Sequence, residues 1–236
     1  MNNYVGEKRG DGHLLLGLTS VVLGIAIYAI FLYAPTEKTE GIIQRIMYIH
    51  IPCAWLAFFA FFIVFCSSIL FLWKKEREWD IYAHASAEIG VVFCSLVLIT
   101  GPIWARPIWG AWWVWDARLT STLVLWLIYV AYLMLRSHSE AGSARARYAA
   151  VIGIAGFLDI PIIHFSVLWW RTFHPKPKMI TSEGIGAGLD STMTITLIIS
   201  LGAFTLLYFL LMDQRIKIER MKDEIDRLKK ERLYSH

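Results

Sequence analysis

The chain has 236 residues, 57% of them hydrophobic and 18% charged, with a mean hydropathy of +0.52 and a formal net charge of +4. Soluble domains are about 45–50% apolar and about 25% charged, so the composition excludes a soluble enzyme, a disordered chain and a disulfide-stapled secreted domain. The apolar content fills about six bilayer spans of ~20 residues and leaves no large extramembrane domain; the small positive charge suits anionic lipid head groups better than nucleic acid.

The first apolar run, about Leu14–Ala34, follows Lys8 and Arg9. It is too long for a signal-peptide core and no small-residue cleavage site follows, so it reads as a retained helix. Further runs lie at about Ile49–Trp73, Ile81–Ile103, Leu119–Leu135, Tyr148–Leu168 and Thr192–Met212. Each is long enough to cross a bilayer. The expected fold is therefore an all-α, six-transmembrane-helix bundle: one membrane domain over residues 1–236, a tryptophan-rich outer loop at 101–118 and a charged tail at 213–236. Cys53, Cys66 and Cys94 fall inside apolar runs without a C-x-x-C pair and read as small buried side chains.

Six spans put both termini on one side. Sixteen Lys and Arg residues fall on that side and seven on the other. The positive-inside rule then predicts cytoplasmic termini. Of the outer loops, the first (about Pro35–Tyr48) is polar, the second (about Gly101–Arg118) is rich in tryptophan, and the third (about Trp169–Ser191) contains Pro175 and Pro177. In the tail, Ile218, Met221, Ile225 and Leu228 follow a helical spacing. That spacing predicts an amphipathic helix near the lipid surface, with docking to a cytoplasmic partner as the alternative.

The second loop, Gly101-Pro-Ile-Trp-Ala-Arg-Pro-Ile-Trp-Gly-Ala-Trp-Trp-Val-Trp-Asp116, is the most informative segment. Five of the eleven tryptophans, Trp104, Trp109, Trp112, Trp113 and Trp115, fall within it. An interfacial aromatic belt would spread over all helix ends; so dense a cluster reads as a flat surface for a large planar ligand. Pro102, Pro107 and Gly110 argue against a continuous helix and for a re-entrant or interfacial shelf. Asp116 and Arg118 either pair with each other or serve backbone donors and ligand carboxylates. Only Arg118 suits a propionate, because like charges repel.

Seven histidines are present. His13, His84, His138 and His236 map near the charged side and read as structural or solvated. His50, in Tyr48-Ile-His-Ile-Pro52, opens the second span, where Pro52 suits a helix start. His164, in Asp159-Ile-Pro-Ile-Ile-His164, lies near the outer end of the fifth, where Pro161 should kink the helix near Phe157. Both histidines reach the same depth beside the tryptophan loop. One reading is a pair of hydrogen-bonded interfacial imidazoles. The other is a pair of axial ligands to haem iron, which takes two such nitrogens. His174 is a third outer histidine, able to replace either ligand or touch propionates. Glu88 and Asp159 are intramembrane carboxylates, expected to hydrogen-bond within the bundle to groups such as Ser95 or Thr196, with a proton path as the alternative.

The run Gly-Pro-x-Trp-x-x-Pro-x-Trp-Gly-x-Trp-Trp-x-Trp-Asp-Ala-Arg-Leu-Thr, with Met47-Tyr-Ile-His-Ile-Pro52 before it and Pro161-Ile-Ile-His164-Phe-Ser after it, resembles the WWD signature of haem-handling membrane proteins. With six spans and this length, the chain resembles the CcmC (haem exporter protein C) family of bacterial cytochrome c maturation. The resemblance implies a multi-pass protein of the bacterial inner membrane. It implies haem b bound non-covalently at the periplasmic face, with His50 and His164 as ligands to the haem iron. Trp104, Trp109, Trp112, Trp113, Trp115 and Asp116 would form the platform or the docking surface for the chaperone. It also implies delivery of haem to the periplasmic chaperone CcmE, and work alongside the transporter subunits CcmA and CcmB and the small membrane protein CcmD. Such a protein has no catalytic chemistry of its own. The competing readings are a b-type membrane cytochrome in electron transfer and a haem transporter subunit. The chain carries no G-x-x-x-x-G-K-[ST] for ATP hydrolysis.

Overall fold

The computed structural model describes residues 7–138, 143–170, 174, 180–181, 184–185 and 189–234. Pro175, Pro177, His236 and the His138 side chain lie outside the described residues. Among the described residues, seven α-helices build the bundle: α1 (Glu7–Tyr28), α2 (Met47–Lys74), α3 (Arg77–Trp109), α4 (Ala117–His138), α5 (Ser143–Phe157), α6 (Asp159–Trp169) and α7 (Ser191–Tyr234). A π-helical turn, Ala29–Tyr33, ends α1, and a 3₁₀ turn, Ile42–Ile46, leads into α2. A short antiparallel pair, Ile180–Thr181 with Gly184–Ile185, lies between α6 and α7. Among the described residues, six segments are long and apolar enough to cross a membrane, α5 and α6 together forming one of them. This is the expected all-α, multi-pass architecture.

The central pair is α2 and α3, with α5 and α7 packed on α2, and α4 and α7 packed on α3. Their seam is small and tight: Ala57, Ala60, Phe61 and Val64 meet Ala83, Ala87, Gly90 and Phe93, all of the buried side chains at most 3% exposed. Phe61 stacks on Tyr129 of α4 with ring centroids 3.7 Å apart, and the Tyr129 hydroxyl donates to the Gly153 carbonyl of α5 at 2.9 Å. The α2 face, α4 and α5 are thereby joined through one aromatic stack. By contrast α1 touches mainly α7 and leaves Leu14, Val21, Ile27 and Leu32 exposed, as a lipid-facing helix does.

Gly90 is required by this seam. A methyl group added there would stand 2.6 Å from Phe61 Cε1 and 3.1 Å from Ala60 Cβ, and Phe61 is pinned by its stack on Tyr129. Overpacking a tight core costs about 1–3 kcal/mol. Gly90→Ala is therefore expected to lower thermal stability in detergent by that amount. Gly202→Ala, where nothing lies within 4 Å, should leave it unchanged; equal losses at both positions would contradict the packing argument.

Several boundaries differ from the sequence expectations, each for an identifiable reason. α3 does not stop before the tryptophan segment. It runs through Pro102 and Pro107 to Trp109 and ends at Gly110, whose φ of +74° provides the left-handed cap. A proline removes one helix donor, but its fixed φ is helical, and membrane helices tolerate the loss when neighbours pack around it. The shelf therefore begins only at Gly110. Pro52 stands one turn inside α2 instead of at its start, because the 3₁₀ turn carries the helix back towards Ile42. The kink expected from Pro161 appears as a break at Leu158 between α5 and α6. The tail does not turn onto the lipid surface: α7 runs unbroken from Ser191 to Tyr234.

Ion pairs tie this helix to α3. Arg77 Nε meets Asp223 at 2.9 Å, Arg220 meets Glu78 at 2.6 Å, and Arg215 pairs with Glu88. Glu88 thus finds Arg215 and, at 3.6 Å, His84, not the hydroxyls of Ser95 or Thr196. Those two hydroxyls donate instead to the carbonyls of Val91 and Thr192 four residues back. His84 also lies 3.4 Å from Glu219, which makes it a bridge between α3 and α7. Deeper still, Arg136 of α4 grips Asp80 of α3 with two nitrogens at 2.5 and 2.9 Å, both side chains 3% exposed.

Candidate functional site

The end of the bundle opposite these ion pairs gathers the residues singled out in the sequence. Here the connection from α1 to α2 is folded on its own polar groups. Arg45 donates to the carbonyls of Phe31 (2.5 Å) and Ala34 (3.3 Å), covering the exposed end of the π-helical turn. The Glu37 carboxylate accepts from the backbone N–H groups of Glu40 and Thr39, each at 2.5 Å. The Glu40 N–H is the main cause holding the Glu37 carboxyl below its ordinary range. This turn is therefore fully supported above the ordinary carboxylate pKa and loosens as pH falls through the lowered value.

Glu40 carries the turn to the tryptophan segment, because its carboxylate accepts from Trp104 Nε1 at 2.9 Å. Trp104 is half-buried and packs into a cluster with Met47, Tyr48, Met193 and Leu197, so it ties α3 to α2, α7 and the first outer connection. Its indole meets His50 edge-to-face, centroids 5.8 Å apart and planes at 73°. His50 sits in the first turn of α2, half-buried, with Nδ1 2.8 Å from Thr100 Oγ1.

Beyond Gly110 the shelf is irregular up to Asp116. Trp109 and Trp113 are half-buried, whereas Trp112 is 59% and Trp115 76% exposed. Trp113 and Trp115 meet edge-to-face at 5.6 Å. The buried Trp113 Nε1 has no hydrogen-bond partner among the described residues. Asp116 caps α4: its Oδ1 accepts from the Leu119 N–H at 2.9 Å. Service to a free backbone donor, one of its two expected roles, is thus observed, and the Asp116 charge also acts on Arg118 two residues on. Arg118, the second residue of α4, donates to His174 Nδ1 at 3.0 Å, and both groups are close enough to His50 to act on it electrostatically.

His164 is placed differently. Ile163, Ser166 and Val167 form the buried face of α6, and His164 lies on the exposed side, edge-to-face with Phe165 at 5.2 Å. Phe165 in turn stacks on Trp169. No hydrogen bond or ring contact joins His164 to His50 among the described residues, and α6 packs mainly on α4. One group of contacts thus links His50, Thr100, Trp104 and Glu40; a second pairs Arg118 with His174; His164 belongs to neither. Thr100 and Glu40 escaped the sequence reading, since a threonine in an apolar helix and a glutamate in a polar loop carry no pattern of their own.

The chain is similar to known proteins over most of its length. Residues 11–231 match the family described as CcmC, Heme exporter protein C. A Heme exporter protein C of Bradyrhizobium diazoefficiens is 40% identical over 194 residues, covering 82% of this chain and 73% of the relative. A ccmC-like mitochondrial cytochrome c biosynthesis protein of Marchantia polymorpha is 35% identical over 202 residues, 86% of each chain. The Heme exporter protein C of Escherichia coli K12 is 33% identical over 213 residues, covering 90% of this chain and 82% of the relative. With that match across nearly its whole length, the chain belongs to the CcmC, or Heme exporter protein C, family.

Proposed function

We propose that this protein handles haem for cytochrome c maturation: it holds haem b non-covalently at the tryptophan-bearing end of the bundle and passes it to the chaperone CcmE. The observation that carries the reading is the convergence of His50, the tryptophan segment and the Arg118–His174 pair at one end of a membrane bundle. The donor chemistry fits the cargo. Neutral imidazole ligates iron, exposed indole faces at Trp112 and Trp115 suit a porphyrin plane, and a guanidinium suits propionates. In this reading His50 and His164 supply the axial nitrogens, and Arg118 with His174 meets the propionates. The His164 ring is exposed on α6 and so stays uncovered by the rest of the bundle.

The bias of Lys and Arg towards the opposite end supports cytoplasmic termini and a periplasmic site in a bacterial inner membrane. CcmA, CcmB and CcmD are the expected membrane partners. The role is one of binding and presentation, without turnover chemistry.

The test is a hemin titration of the purified protein in nanodiscs, followed in the Soret region. A saturable, one-to-one band is expected, and its transfer to added CcmE should follow. Trp112→Ala with Trp115→Ala removes two stacking faces of about 0.5–1.5 kcal/mol each, so Kd should rise about 5- to 150-fold. Hemin that partitions without saturation, identically in the presence and absence of the protein, defeats the proposal.

A further inference from the structure

We propose that Thr100 is a positioning residue that fixes the tautomer and aim of His50: Nδ1 carries the proton and Nε2 presents the free electron pair. The inference rests on the reading of His50 as an iron ligand. A threonine hydroxyl has one proton and can accept two hydrogen bonds. Thr100 donates its proton to the Leu96 carbonyl, one turn back on α3, at 2.7 Å. Its oxygen therefore meets His50 Nδ1, 2.8 Å away, as an acceptor. Nδ1 is then the N–H of the neutral ring, and Nε2 is bare. A metal-binding imidazole needs this arrangement, with the distal nitrogen free and the other tied to an acceptor.

The surrounding geometry keeps the ring from turning. Thr100 and Trp104 are four residues apart on α3, so they present one stripe to His50. Trp104 closes one edge of the imidazole and is itself held by Glu40. On another side His50 Cε1 lies against Gly101, where an added Cβ would come within 3.4 Å. Flipping the ring would put Cδ2 in the place of Nδ1, break the bond to Thr100 and disturb the contact with Trp104.

The experiment is long-range proton–nitrogen correlation on ¹⁵N-histidine-labelled, ligand-free protein in nanodiscs, with His50→Gln to assign the signal. Wild type should show His50 as the Nδ1–H tautomer. Thr100→Val, nearly isosteric, should shift it towards Nε2–H, and Thr100→Ser should restore Nδ1–H. In parallel, hemin affinity should fall about 10–100-fold in Thr100→Val, the usual effect of losing such a support, and recover in Thr100→Ser. His50 found as Nε2–H in the wild type overturns the inference without any variant having to fold. So does a Thr100→Val spectrum identical to wild type. If the tautomer follows Thr100 as expected but His50→Ala binds hemin normally, the ligand reading fails, and with it the role of Thr100 towards iron.

Discussion

Replacing His50 and His164 together by alanine is expected to abolish the low-spin hemin spectrum and weaken binding by more than about a hundredfold. Loss of a group that merely orients a ligand already costs about 10–100-fold, and here both ligating nitrogens go. The single variants should differ. His50 is half-buried and held by Thr100 and Trp104 before any ligand arrives, so its binding contribution carries little ordering cost. His164 is exposed and touches only the neighbouring Phe165 ring in the described contacts, so it must give up side-chain freedom on binding. His50→Ala should therefore lose more affinity than His164→Ala, and the double variant should depart from the sum, as expected of groups bound to one centre. His174→Ala should keep the spectrum, because the Nδ1 of that ring faces Arg118. Spectra of both single variants superimposable on wild type would remove these histidines from the site.

The second large effect is expected far from any ligand. Asp80→Ala should destabilise the protein by about 3–5 kcal/mol, the usual cost of stranding a buried charge. Arg136 would lose both of its carboxylate contacts while staying enclosed, with its side chain 3% exposed and the Tyr132 ring 5.7 Å away. Arg77 also pairs with Asp80 but is 43% exposed and retains Asp223, so it should suffer little. Removing both charges with Asp80→Leu and Arg136→Met should recover most of the loss, since an apolar pair of similar volume is often neutral or better. Thermal or denaturant unfolding in detergent measures both. A double variant no more stable than Asp80→Ala would show that the charges, and not their separation, maintain the junction of α3 and α4.

Much of this molecule can be read from residue order, and the parts that cannot share a cause. The spans are legible because a bilayer demands about 20 apolar residues in succession, and that demand is local. The Asp116 cap is legible for the same reason: an acid beside an irregular loop and before an apolar run serves free N–H groups. Pro102 and Pro107 mislead because the ring of a proline holds φ at a helical value, so each removes one backbone donor without forcing α3 to end. Asp80 and Arg136 look like ordinary boundary charges, and only the fold reveals that residues 56 apart close on each other. Thr100 is opaque in the same way. Its hydroxyl bonds one turn back as many helical threonines do, and its second contact depends on how α2 is set against α3.

The unbroken 44-residue helix α7 has a mechanical consequence. At 1.5 Å per residue it is a rod about 66 Å long, roughly twice the thickness of the hydrocarbon layer. Near its beginning Met193 and Leu197 pack in the same cluster as Trp104; near its other end Asp223 and Arg220 grip Arg77 and Glu78. A tilt of about 5° pivoting on one end sweeps the other through about 6 Å. Anything that leverages the distal portion of this rod thus acts directly on the packing behind the indole that steadies His50, with no hinge between to absorb the motion.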